Sequence, residues 1–130
     1  MGLDMYLFRV RKDADITNGL PNNNEREEIM YWRKANQIRE WFCTHLDDFQ
    51  DNGITEVPKA KLEELARTIG SVLNDRSRTN ELPTSSGFFF GSQEYDEWYW
   101  EELEGTYREL NSILSDFDFD SYRIVYWEWY

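Results

Sequence analysis

The two most strand-like stretches of this chain stand at its opposite ends. From Gly2 to Val10, Leu3, Met5 and Leu7 alternate with Asp4, Tyr6 and Phe8. That is the period of two expected when one face of a strand is buried. From Ser121 to Tyr130 the chain is rich in β-branched and aromatic residues, which favour strands. Pairing them closes the chain on itself. Everything between must fit a sheet that holds both ends.

The intervening segments read mainly as helices. Asp13 to Asn24 contains Gly, Pro and four Asn and is expected to be a polar loop. Glu25 to Leu46 reads as a first helix, with Asn24 as its cap and a stripe of Ile29, Trp32, Ile38, Trp41, Phe42 and Leu46 spaced mostly by three and four. Asp47 to Gly53 interrupts it. Pro58 opens a second helix to about Leu73, with Leu62, Leu65, Ala66, Ile69, Val72 and Leu73 on one face. A polar connection follows, then the apolar run Gly87 to Gly91, read as a short strand or buried loop. Ser92 is expected to cap a third helix from Gln93 to about Ser115. The expected fold is α+β. Residues 1–130 form one domain, with a small antiparallel sheet of N- and C-terminal strands packed against three helices.

Composition narrows the function classes. The chain of 130 residues carries 14 basic and 26 acidic side chains, a formal charge of -12. Such a surface repels phosphate backbones and anionic membranes, so neither direct nucleic-acid binding nor membrane binding is expected. No apolar run approaches the ~20 residues of a spanning helix. Cys43 is the single cysteine, which excludes an intrachain disulfide and suits a reducing cytoplasm.

The acid is concentrated. Residues 91–130 carry eleven carboxylates against Arg108 and Arg123, nine of the twelve net negative charges. On a helix, Glu94, Glu97, Glu101 and Glu104 would form a row about 5–6 Å apart. Phosphates along one DNA strand are spaced about 3.4 Å per charge. With Asp96 and Glu102, this row is a candidate surface for a partner whose basic face reads nucleic acid. Tyr95, Trp98, Tyr99 and Trp100 would add ring anchors.

Catalytic motifs are scarce. Asp116-Phe-Asp-Phe-Asp120 begins like a calcium loop but has Ser121 and Trp127 where Gly and Glu are required. His45 and Cys43 lie two apart on a helix and face different ways, and they cannot form a usual zinc site. No catalytic residue, metal or cofactor is expected. Paired carboxylates such as Glu94 and Asp96, or Asp118 and Asp120, leave an enzyme as a weaker reading.

Two blocks suggest a pocket instead. In Tyr31-Trp-Arg-Lys-Ala-Asn36, a ring, a fork-shaped cation and an amide come together, with Trp32 and Asn36 expected on one face of the first helix. Ser85-Ser-Gly-Phe-Phe-Phe-Gly-Ser92 leads into a helix start. Together they define a candidate ligand pocket of Trp32, Arg33, Asn36, Gly87, Phe89, Tyr95 and Trp98, suited to a nucleotide-like signal.

Three blocks carry a resemblance. Met1-Gly-Leu-Asp-Met-Tyr-Leu7, Tyr31-Trp-Arg-Lys-Ala-Asn-Gln-Ile-Arg-Glu-Trp-Phe42 and Leu82-Pro-Thr-Ser-Ser-Gly-Phe-Phe-Phe-Gly-Ser-Gln-Glu-Tyr-Asp-Glu-Trp-Tyr99 resemble a family of small bacteriophage and prophage proteins. The resemblance covers under a third of the chain and carries no catalytic residue with it. It implies a setting in the cytoplasm of a host cell. There an acidic protein would antagonise a host defence protein, such as a CRISPR or restriction effector. The alternative is a module that captures a signalling nucleotide. The terminal Tyr-Trp-Glu-Trp-Tyr leaves a homodimer open through edge pairing.

Overall fold

A computed structural model describes residues 2–86 and 91–130. Its strands are β1 (Asp4–Arg11), β2 (Arg26–Arg33), β3 (Ile54–Val57) and β4 (Tyr122–Trp129). Its helices are α1 (Asn36–His45), α2 (Lys59–Asn74) and α3 (Glu97–Asp116), with short 3-10 turns at Asn23–Glu25 and Arg76–Glu81. The sheet is antiparallel in the order β2-β1-β4-β3. The two terminal strands pair at its centre, with Leu7 opposite Tyr126 and Met5 opposite Glu128. The α+β class and the pairing of the N- and C-terminal strands therefore stand as expected.

Pleating separates two faces. Met5 and Leu7 of β1, Met30 and Trp32 of β2, Val57 of β3, and Ile124 and Tyr126 of β4 point to one side. There they join Ile38, Trp41 and Phe42 of α1, Leu62, Leu65 and Ile69 of α2, and Leu103 and Leu110 of α3 in the main core. The other face carries Phe8, Val10 and Val125. Ala14, Ile16 and Leu20 of the loop after β1 pack over them. Each large side chain fully buried in this way contributes about 1.5–3 kcal/mol. Among the described residues no helix is long and apolar enough to cross a membrane.

The expected first helix is the main correction. Its first third, Arg26–Arg33, is strand β2, hydrogen-bonded along β1 with Met5 opposite Trp32. Met30 and Trp32 alternate inward with Tyr31 and Arg33 outward, so a period of two coexists with the helical spacing. The open edge of β1 decides between them, because its unpaired N–H and C=O groups need partners. Lys34 then adopts a left-handed backbone (φ 57), which ends the strand and redirects the chain into α1. Trp32 and Asn36 accordingly share no helix face.

The third helix starts later than expected. Asp96, not Ser92, is its cap, accepting from the Tyr99 N–H at 3.3 Å. Gln93 cannot start it, because its carbonyl accepts from the Thr84 hydroxyl and holds the segment out of the helix. α2 begins one residue after Pro58, close to its predicted start. The connection after α2 is polar but anchored by Leu82, which is fully buried and whose carbonyl accepts from the Tyr99 hydroxyl. Cys43 is exposed, whereas His45 lies at the end of α1 against the Trp41 ring and carbonyl.

Candidate functional site

The turn from β2 into α1 faces the segment that leads into α3, and a cleft of about 400 Å³ opens between them. This is within the size range of small-ligand sites. Arg33 and Lys34 come from the turn, Gln37 from the first turn of α1, and Trp98 and Glu102 from α3. Gly91, Ser92, Glu94 and Asp96 line it from the approach to α3.

Lys34 is held by its neighbours. Its N–H donates to the Leu3 carbonyl at 2.7 Å. Its aliphatic stem lies between two glycines: a Cβ on Gly2 would stand 2.9 Å from Cε, and one on Gly91 would stand 3.1 Å from Cβ. Gly91 itself has φ +86, where a side chain is strained. A bulky residue held in the left-handed region is a recognised mark of functional sites. Neither Arg33 nor Lys34 forms an ion pair among the described residues. Two adjacent unpaired cations are unexpected in a chain with 26 acids and 14 bases.

Gln37 and Glu102 also lack partners. Gln37 is only 4% exposed and its side chain makes no hydrogen bond among the described residues. Its amide atoms are not sealed from solvent, since the buried side-chain polar atom without a partner among the described residues is Arg123 Nε, so the amide is open to a ligand at the cleft wall. The carboxyl group of Glu102 is likewise without a hydrogen bond. Burial, with a smaller contribution from Glu109, pushes its pKa up to about 7. Perturbed carboxyls in clefts are a general signature of functional sites.

The sequence-predicted pocket is only partly assembled. Arg33, Asn36 and Trp98 line the cleft, Trp98 as a rim residue 77% exposed. Asn36 is already committed. Its side-chain N–H donates to the Ser92 carbonyl at 2.7 Å, and its carbonyl accepts from the Ser85 N–H at 3.0 Å. It therefore ties α1 to the opposite wall. Trp32 is not in the pocket. It is buried under α3, with its indole N–H donating to the Thr106 hydroxyl at 2.8 Å. Tyr95 stands beside the cleft, its ring 4.9 Å from Tyr99 and its hydroxyl accepting from the Thr84 N–H. Gly87 and Phe89 lie outside the described residues.

The acidic surface divides in two. Glu97, Glu101 and Glu104 are exposed at i, i+4 and i+7 of α3. Glu94 and Asp96 precede the helix and are exposed at the cleft mouth, while Glu102 is half-buried in its wall. None of the six forms an ion pair among the described residues. Arg33 and Lys34 nevertheless line the same cleft as Glu94, Asp96 and Glu102, and Arg76 lies over the Trp100 ring of α3.

Sequence reasoning missed Lys34, Gln37 and Glu102 as a group. Lys34 and Gln37 flank the predicted Arg33 and Asn36, so proximity was the available signal. Glu102 gave none, being one acid among many. No family model, curated protein or solved structure matches this chain.

Proposed function

We propose that this chain is a binding module for a small anionic ligand of nucleotide type, captured in the cleft between the β2–α1 turn and α3. Arg33 and Lys34 take the phosphate, Trp98 lies against a ring, and Gln37 meets a polar edge. Two adjacent cations on one cleft wall, Arg33 and Lys34, neither in an ion pair among the described residues, carry this reading. An Arg fork and a Lys ammonium suit phosphate oxygens in complementary ways. The exposed indole offers a stacking face of the kind that binds bases. The test is thermal shift of the chain with a panel of nucleoside monophosphates. Stabilisation is expected, and it should be lost in the Arg33→Ala/Lys34→Ala variant. A flat response to every nucleotide overturns the reading.

A second reading uses the outer face of α3. Glu97, Glu101 and Glu104 form an exposed acidic row without counter-ions among the described residues. In this reading the row binds the basic, nucleic-acid-reading surface of a host defence protein in the cytoplasm. Steering by such a row is salt-sensitive. Binding to a basic effector should weaken steeply between about 50 and 500 mM salt, and charge reversal at the three positions should abolish it. Salt-independent binding removes this reading.

A further inference from the structure

Resting on the nucleotide reading of the cleft, a more specific question is which base it prefers. Several polar side chains on its wall bond to nothing among the described residues; besides the two cations and the exposed Glu94, these include Gln37 and Glu102, which are set deeper than Glu94. The hydrogen-bonding abilities of Gln37 and Glu102 differ. The glutamine amide can donate and accept, whereas an ionised carboxylate only accepts, on two adjacent oxygens. Two parallel N–H donors are the natural complement of a carboxylate.

Among the common bases, only guanine offers such a pair on its pairing edge: the ring N1–H and the 2-amino group. Its 6-oxo group, next to them, accepts. Adenine presents a 6-amino donor beside an unprotonated ring nitrogen, which would face a carboxylate lone pair to lone pair. Cytosine has the same mismatch, and uracil offers one N–H between two acceptors. We infer that the cleft selects a guanine nucleotide, with Glu102 accepting from N1–H and the 2-amino group, Gln37 donating to the 6-oxo oxygen, and Arg33 and Lys34 on the phosphate.

The charged groups around Glu102 give the inference a second readout. Arg33 and Lys34 face the cleft from the β2–α1 turn, Glu94 and Asp96 from the approach to α3, and Glu101 and Glu109 flank Glu102 on α3 itself. With its carboxyl near half-protonated at neutral pH, Glu102 must release a proton to accept two N–H groups. Guanine binding therefore strengthens as pH rises from about 6 to about 8. A base read by the protonated carboxyl would show the opposite trend.

The experiment is calorimetric titration of the intact chain with GMP, IMP, AMP and ribose 5-phosphate at both pH values. GMP should bind at least about tenfold more tightly than AMP, the order expected of one bidentate contact. IMP, which lacks the 2-amino group, should fall between them. Glu102→Gln should erase the preference for GMP and its pH dependence while retaining AMP and ribose 5-phosphate binding. Equal binding of GMP and AMP, or unchanged selectivity in Glu102→Gln, overturns the guanine assignment. If Arg33→Ala/Lys34→Ala still weakens all the phosphates, the nucleotide reading survives that result. If no phosphate compound binds, both fall together.

Discussion

Arg39 of α1 and Glu128 of β4 form an ion pair inside the protein, with Nε 2.9 Å from Oε1 and a second contact of 3.0 Å to Oε2. Glu128 has no exposed surface. Its remaining capacity is taken by the Tyr126 hydroxyl and the Asn52 N–H, both at 2.7 Å. The contact joins the first helix to the central strand pair, and it draws in Asp51 from the loop before β3.

Removing one partner of such a pair leaves a buried charge. Arg39→Ala is expected to lower stability by about 3 kcal/mol or more, read from the urea unfolding midpoint. Glu128→Gln should also be destabilising, because each Glu128 oxygen accepts from two donors and a glutamine NH2 must face one such pair. Equal and small losses in both variants would show that the pair contributes little.

Asn36→Ala frees the Ser85 N–H and the Ser92 carbonyl at once. The expected loss is about 1 kcal/mol, the net worth of ordinary hydrogen bonds whose freed partners water can reach. Limited proteolysis between residues 84 and 94 should accelerate well beyond what the global stability change explains. An unaltered cleavage rate would show that the clamp does not hold this wall.

Glu102→Gln tests the energetics of the cleft without ligand. The folded-state pKa, about 7, is raised above the ordinary carboxyl value of 4.5. Protonation therefore favours the native state. That contribution is complete below about pH 4.5 and is lost as pH rises through about 7. Wild type should lose stability over this interval, while the glutamine variant should not. At pH 8 the variant should be the more stable by about 1 kcal/mol, allowing for solvent screening of a partly exposed group. Parallel pH–melting curves for the two proteins would contradict this.

Gly91→Ala should be more damaging than Gly19→Ala. Both glycines have positive φ, but a Cβ at Gly19 meets nothing within 4 Å. At Gly91 it would press on Lys34 as well. The torsional cost alone is about 1–2 kcal/mol at each. The excess at Gly91, seen as a larger fall in melting temperature, measures how tightly the Lys34 stem is held.

The fold was legible where one period governed the sequence. β1 shows clear alternation, β4 is marked by its β-branched and aromatic residues, and α2 shows one unbroken apolar stripe after Pro58. β2 was misread because Ile29 and Trp32 fit helical spacing with Ile38 and Trp41, while Met30 and Trp32 fit a strand. Only the unpaired edge of β1 separates those alternatives, and an edge is a tertiary fact. The cleft was half legible for the same reason. Arg33, Asn36 and Trp98 belong to residue types that bind ligands. Gln37 and Glu102 look like ordinary solvent-facing helix residues until packing buries them, and the left-handed turn at Lys34 has no glycine or asparagine to announce it.

The strand order has a consequence for biogenesis. The most C-terminal strand lies between β1 and β3, so β1 and β3 cannot be joined until residue 129 has left the ribosome. Until then, Leu7 and Met5 lack their central neighbours and Arg39 lacks its counter-ion. Native structure must therefore be assembled after translation of this stretch in a late cooperative step, and a nascent chain stalled before residue 122 should still be a substrate for chaperones.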